Sequence, residues 1–276
     1  MRWVLVCFAS LAGLACSFQL PPAQVGDGPP NGSDATPCVA ADPHDEDGDG
    51  VADQCDACPQ IPSSLASDTD TDHDGIPDAC DPHPGRAGDV LVRFETFATA
   101  SGAPPAGWMP RGGGSANDWT SSGDALRVVS GNDTHLLVFD SGSPNHTIDV
   151  GFDLVNVSST AFQFVTAIAD SKDDITQFIG CGIRVDTLSP APDREVVVHD
   201  AGAFATPLVD VTDPPVASGT YRMVMTVSNN LQFCTIPTGQ NPHTIPGTLL
   251  THDNHFVGLR LNNASIAFRY VAVYKD

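Results

Sequence analysis

From residue 3 to residue 85 the chain has no lysine or arginine, and between Asp42 and Asp81 it carries 13 acidic residues. Such a segment repels itself and has almost no apolar surface to bury, so it can fold only around bound cations. The acids are also ordered. Asp45-Glu46-Asp47-Gly48-Asp49-Gly50-Val51-Ala52-Asp53-Gln54-Cys55-Asp56 and Asp70-Thr71-Asp72-His73-Asp74-Gly75-Ile76-Pro77-Asp78-Ala79-Cys80-Asp81 repeat one pattern 25 residues apart, with ten aspartates, two glycines and two cysteines in register. Asp at positions one, three and five brings short carboxylates to one point, and Gly at six permits the sharp turn between them. That donor set suits a hard divalent cation. Calcium is favoured over magnesium, because a flexible all-oxygen loop suits its larger and more variable shell. Zinc or copper would call for His and Cys.

Residues 38 to 84 resemble the thrombospondin type 3 repeat, in which DxDxDGxxDxxD loops wind around calcium ions and disulfides clamp successive loops. Both copies keep the aspartates, the Gly, the penultimate Cys and the closing Asp. The resemblance implies Asp45, Asp47, Asp49, Asp53 and Asp56 as ligands of the first loop and Asp70, Asp72, Asp74, Asp78 and Asp81 as ligands of the second. The carbonyls of Val51 and Ile76 would serve at the seventh positions. An EF-hand shares the opening residues but is disfavoured by Asp at position twelve, Cys at eleven, and Pro-rich flanks that could not form paired helices. Cys55-Asp56-Ala57-Cys58 also makes a CxxC, a weak signal for zinc or redox work in an exported chain. His44, His73 and His83 read as exposed loop residues, with transition-metal ligation the alternative.

The N-terminus reads as a targeting segment. Met1-Arg2 precedes an uncharged, mostly apolar run from Trp3 to Ala15, too short for a permanent membrane helix and the right size for a secretory core. It ends Gly13-Leu14-Ala15-Cys16, which resembles the lipobox of bacterial lipoproteins and implies lipidation of Cys16. By that resemblance residues 1–15 are a signal peptide, 16–37 a flexible tether, and the chain sits in the envelope of a Gram-negative bacterium, at the outer membrane or cell surface. Six cysteines then remain: Cys38, Cys55, Cys58, Cys80, Cys181 and Cys234. An even set suits three disulfides in an oxidising compartment, with fifteen pairings open in principle. Economy keeps Cys181 with Cys234 and closes the other four among themselves, and the repeat resemblance implies Cys38 with Cys55 and Cys58 with Cys80.

Past residue 89 the pattern changes to short apolar or alternating runs: Val90 to Phe94, Ala125 to Val129, His135 to Phe139, Thr147 to Leu154, Ala161 to Ile168, Glu195 to Val198, Tyr221 to Val227, Phe256 to Leu261 and Ser265 to Tyr274. Turn residues separate them, and 25 glycines and 23 prolines in 276 residues argue against a helical protein. The fold class is mainly β: an antiparallel β-sandwich preceded by an irregular calcium- and disulfide-stabilised repeat segment. Residues 89–276 resemble a concanavalin A-like or laminin-G-like jelly roll, with Phe94 to Phe97 as its opening strand.

The formal charge of -22 excludes a nucleic-acid partner, since 12 Lys and Arg supply no basic footprint. An enzyme is not expected. Neither Glu95 nor Glu195 sits in a glycosidase-type strand motif, and the chain has no GxSxG, HExxH or P-loop. Arg111-Gly112-Gly113-Gly114 reads as a turn-rich loop, and His199 with Asp200 and His252 with Asp253 are sequence neighbours that a strand would point apart. Trp108, Trp119 and Tyr221 are candidate sugar platforms, with core packing the stronger alternative for each. The reading is a calcium-binding surface lipoprotein, with a carbohydrate-binding module of a surface protein as the alternative and a secreted polysaccharide hydrolase behind it. It would be anchored in the membrane through Cys16, with a rigid repeat stalk and a sandwich that meets an extracellular glycan or protein.

Overall fold

A computed structural model describes residues 38–62, 69–99, 103–112, 115–129, 134–156, 163–171, 178–186, 193–200, 209–213, 218–229, 231–236, 243–245 and 254–276. The proposed signal peptide, the tether, Cys16, His252 and Asp253 lie outside them.

Strands account for nearly all the regular structure. In chain order the first are β1 (Val90–Glu95), β2 (Met109–Gly112), β3 (Thr120–Ser121), β4 (Leu126–Val129) and β5 (Thr134–Asp140). Next come β6 (His146–Asn156), β7 (Gln163–Ser171), β8 (Ile179–Asp186), β9 (Asp193–Asp200) and β10 (Val209–Asp213). The last are β11 (Gly219–Ser228), β12 (Leu231–Ile236), β13 (His243–Ile245), β14 (Phe256–Asn262) and β15 (Ser265–Lys275). They form two antiparallel sheets. The first runs β13-β12-β11-β6-β15-β4-β3 with β1 also on β15, and the second runs β10-β9-β8-β7-β14-β5-β2. This is the jelly-roll sandwich expected from the sequence.

Alternation explains the packing. Ile148, Val150, Phe152 and Leu154 of β6 and Tyr221, Met223, Met225 and Val227 of β11 point into one core. They meet Val165 and Ala167 of β7, Ile179 and Ile183 of β8, and Val257, Leu259 and Leu261 of β14 from the other sheet. In β15 the inward set changes parity, from Ile266 and Phe268 to Val271 and Val273. A bulge between Phe268 and Tyr270 makes the change, with Arg269 as the extra residue. Cys181 of β8 and Cys234 of β12 form a disulfide that joins the two sheets through the core.

Trp108, Trp119 and Tyr221 belong to that core, at 5%, 0% and 8% exposure, so none offers a face to a sugar. Trp119 instead stacks on Phe268 with ring centroids 6.4 Å apart, and Phe152 stacks on Tyr221 at 5.7 Å. Arg111 and Gly112 are part of strand β2, not of a loop. The opening strand stops at Glu95, and Phe97 is buried in a left-handed turn at φ 58°.

The outer face of the first sheet is covered by residues from 38–62 and 69–84. Cys58, Ile61, Ile76 and Cys80 pack on Leu91, Phe94, Ala272 and Tyr274 in a second apolar cluster. Beside it lies a buried polar network. Asp149 of β6 takes two guanidinium nitrogens of Arg222 at 2.7–3.1 Å, the Tyr270 hydroxyl at 3.2 Å and Gln60 Nε2 at 3.3 Å. Gln60 Nε2 also bonds Tyr274 Oη at 2.9 Å. Gly151 is required here, since a Cβ would run into the Tyr270 ring. The repeats and the sandwich form one compact unit, Cys38–Asp276.

Candidate metal centre

The two acidic loops fold alike because each aspartate organises the backbone around it. At position one, Asp45 Oδ1 accepts from Gly48 N at 2.8 Å and Oδ2 from Gly50 N at 2.9 Å. Asp70 does the same for His73 N at 2.7 Å and Gly75 N at 3.0 Å. Position three holds the amide of position five, in Asp47 with Asp49 at 3.1 Å and Asp72 with Asp74 at 3.3 Å. Position five holds the amide of position seven, in Asp49 with Val51 at 2.7 Å and Asp74 with Ile76 at 3.0 Å. Gly50 and Gly75 stand at φ 94° and 96°, a conformation side chains rarely adopt.

The result is two convergent carboxylate sets. One oxygen each from Asp45, Asp47 and Asp49 lies within 4.8 Å of the others, and so do oxygens of Asp70, Asp72 and Asp74. Position twelve closes the chain turn, with Asp56 Oδ1 accepting from Cys58 N at 2.8 Å and Asp81 Oδ1 from His83 N at 2.6 Å. Disulfides Cys38–Cys55 and Cys58–Cys80, each with Cα atoms 5.7 Å apart, clamp the loops in the pairing that the repeat pattern implied. Ile76 lends its side chain to the apolar cluster, while Val51 is exposed.

Four oxygens test whether a cation fits. Asp47 Oδ2 and Asp56 Oδ2 in the first loop, and Asp72 Oδ2 and Asp81 Oδ2 at the matching positions of the second, are buried and meet no hydrogen-bond donor among the described residues. A buried acceptor without a partner is costly. Burial above all, with the charges of Asp49, Asp56 and Asp45, pushes the Asp47 carboxyl up to about 6 against the pull of the Asp49 amide. Burial likewise raises Asp56, and burial plus contact with Asp89 raises Asp81. The donors are all carboxylate oxygens, the chemistry of a hard cation.

Position nine organises the backbone as well. Both oxygens of Asp53 are engaged, by Glu46 N at 2.9 Å and His44 Nδ1 at 2.6 Å. Those of Asp78 hold Thr71 N at 2.8 Å and Thr71 Oγ1 at 2.7 Å. These aspartates brace the loop openings. His44 and His83 are not free loop residues, since both are half-buried and bonded to aspartates. Burial works against a charge on His44, but Asp53, Glu46 and Asp124 outweigh it and raise its pKa. His73 is exposed.

One residue escaped the sequence reading. Asp89, 3% exposed just before β1, meets Asp74 and Asp81 within 4.8 Å and bonds His83 Nδ1 at 2.9 Å. Asp74 Oδ2 in turn accepts from Gly88 N and Asp89 N at 3.1 and 2.9 Å, tying the second loop to the start of the sandwich. A lone acid directly ahead of an apolar run was the available signal.

No protein-family model matches the chain, and no curated protein matches it. Solved structures do. The CBM2 module of the evolved Dit of Lactobacillus casei phage J-1 overlays 68% of this chain and 96% of its own at TM-score 0.50 and 9% identity. A structure from work on endo-acting O-glycanases of the human gut microbiota, enzymes that initiate mucin breakdown, overlays 68% of this chain and 100% of its own, at TM-score 0.50 and 9% identity. Against the GH43 protein BlXynB of Bacillus licheniformis the figures are 66% of this chain, 39% of that one, TM-score 0.48 and 12% identity, so the chain spans about two fifths of that protein. At 9% identity the likeness to the first two is one of fold, and it agrees with the jelly-roll sandwich read from the sheets.

Proposed function

We propose that the chain is an exported calcium-binding surface protein whose two acidic loops each take calcium and thereby hold the repeat segment on the β-sandwich. The observation that carries this reading is the repetition of the orphaned oxygens, Asp47 and Asp72 at position three and Asp56 and Asp81 at position twelve. Asp45, Asp47, Asp49, Asp53 and Asp56 with the Val51 carbonyl would hold the ion in the first loop, and Asp70, Asp72, Asp74, Asp78 and Asp81 with the Ile76 carbonyl in the second. Bound calcium supplies positive charge where burial otherwise favours protonated carboxyls. The chain's own residues do the rest: amide bonds to positions one, three and five fix the carboxylates, and Ile76, Cys58 and Cys80 seat the loops on the sheet. The role is structural and adhesive, without catalysis, with Cys16 as the lipid anchor. Of the glutamates weighed as catalytic, Glu95 is paired with Arg93.

Calorimetric titration of the chelator-stripped protein with calcium tests the proposal. Uptake is expected, and it should be lost in the double variant Asp47→Ala, Asp72→Ala. No uptake by the unaltered protein, or undiminished uptake by the variant, sinks it.

A second reading, in which the sandwich also binds glycan, is supported by the names of similar structures, a CBM2 module and a structure from work on endo-acting O-glycanases among them. Binding to a glycan array in calcium is the expected result, and a blank array removes this reading.

A further inference from the structure

The geometry points to a binding site for a neutral saccharide in the seam between the first acidic loop and the outer face of the first sheet. The inference rests on the glycan reading and supplies its location. A cleft of about 260 Å³ opens there, near the lower end of small-molecule sites, and its lining is almost wholly polar.

Three fixed pieces of structure make the walls. The first is a row across the sheet. Arg127 of β4 and Asp153 of β6 both stand opposite Ala267 of β15, so a donor and an acceptor flank a small residue. Two strand spacings separate them, about 9.6 Å between backbones. Neither side chain is loose: Arg127 Nε donates to Ser122 O at 3.1 Å, and Asp153 Oδ1 accepts from Thr220 Oγ1 at 2.6 Å. The second wall is the tight turn between β3 and β4, where Gly123 and Asp124 both have positive φ, 58° and 54°, and Ser122 N bonds Ala125 O at 2.9 Å. It presents Asp124 to the cleft. The third is the first loop itself, with Asp45 at the rim. Arg269, the extra residue of the β15 bulge, crosses from the sheet to Glu46 at 3.0 Å and ties that wall down.

The mixture of charges decides the class of ligand. Four carboxylates, Asp45, Glu46, Asp124 and Asp153, outnumber Arg127 and Arg269, and Arg269 is already paired to Glu46, so a phosphate or a uronate is repelled. A neutral polyol is not repelled, and it can use the remaining donor, Arg127, as well as the acceptors. Each hydroxyl both donates and accepts, so a saccharide lying in the cleft can give to Asp153 and Asp124 and take from Arg127, in charge-assisted bonds. The face that the buried tryptophans could not provide is thus replaced by hydrogen bonding.

The test uses the whole protein, saturated with calcium, titrated with neutral gluco-, xylo-, manno- and galacto-oligosaccharides and with an oligogalacturonate. At least one neutral sugar is expected to bind and the galacturonate not to. Arg127→Ala and Asp153→Ala should each weaken that binding tenfold or more, with calcium uptake and melting temperature unchanged. The proposal is overturned if a protein that takes up calcium binds no neutral sugar of the panel, if it prefers the galacturonate, or if both variants bind as before. Sugar binding without calcium uptake would leave this site standing and remove the calcium reading instead.

Discussion

His146 gives the sharpest test of the packing. It opens β6 at 2% exposure, and its Nδ1 donates to Ser143 O at 2.8 Å, with Ser141 Oγ 3.1 Å away. Burial, assisted by the charge of His255, lowers its pKa from 6.5 to about 4, although the Ser143 carbonyl and Asp276 pull the other way. In the unfolded chain the same imidazole titrates at its ordinary value. Between those two values the unfolded state binds a proton that the folded state refuses, so stability rises with pH across the window and is lost as pH falls. For a side chain this buried the loss amounts to about 2 kcal/mol at about pH 5 and about 3 kcal/mol at about pH 4. Many carboxylates titrate in the same range, so the variant His146→Asn is the reference, because its amide can keep the donor to Ser143. Urea unfolding of both proteins in excess calcium, at about pH 7.5 and about pH 5, reads the difference directly. The stability advantage of the unaltered protein should shrink by about 2 kcal/mol between the two conditions. Parallel pH profiles would refute the claim that His146 is held neutral by burial.

The remaining predictions concern the repeats and the core. Gln60→Ala removes the amide that bridges Asp149 and Tyr274, and urea unfolding should show a loss of about 2–3 kcal/mol; a change under about 0.5 kcal/mol would mean the bridge contributes nothing to docking. Gly75→Ala forces a side chain to φ 96° and should cost about 1–2 kcal/mol, seen as roughly tenfold weaker calcium binding at one of two sites. Gly85→Ala, with open space and ordinary φ, is the control that should change nothing. Replacing Cys181 and Cys234 together by alanine frees a 53-residue loop in the unfolded chain and should lower stability by about 4 kcal/mol, measured by thermal unfolding. A loss below about 1 kcal/mol would contradict the role of the disulfide as a staple between sheets.

The acidic loops were readable because coordination demands fixed spacing, and the same residues that would bind metal also bend the backbone. Strands with clean alternation, such as β11, were readable for the same kind of reason. Ile179–Asp186 was not, because Gly180 and Gly182 alternate with its inward Ile179, Cys181 and Ile183 and make the segment look like a turn. Leu231–Ile236 reverses the usual polarity, burying Gln232 and leaving Leu231 exposed. Asp89 gains its role from residues 15 and 8 positions earlier, which no local window relates. The cover on the first sheet left a trace that could have been used. The end of β15, Tyr270-Val271-Ala272-Val273-Tyr274, is apolar or aromatic at every position, the signature of a strand buried on both faces.

The placing of arginines supports the division of labour between the loops and the sheet. Arg269, Arg93, Arg222 and Arg86 pair with Glu46, Glu95, Asp149 and Asp276. None of these four stands at a ligand position of either loop. Asp149 is the instructive case: it lies under the repeats at 2% exposure, and the fold satisfies it with Arg222, the Tyr270 hydroxyl and Gln60. The same fold, a few residues away, leaves Asp47, Asp56, Asp72 and Asp81 each with a buried oxygen facing no donor among the described residues. Burying a carboxylate is tolerable only with a compensating charge or bond. On the proposed reading these four oxygens would take positive charge from solution, and the cohesion of the repeats, and through Gln60, Ile76 and Asp89 their grip on the sandwich, would depend on the supply of a divalent cation.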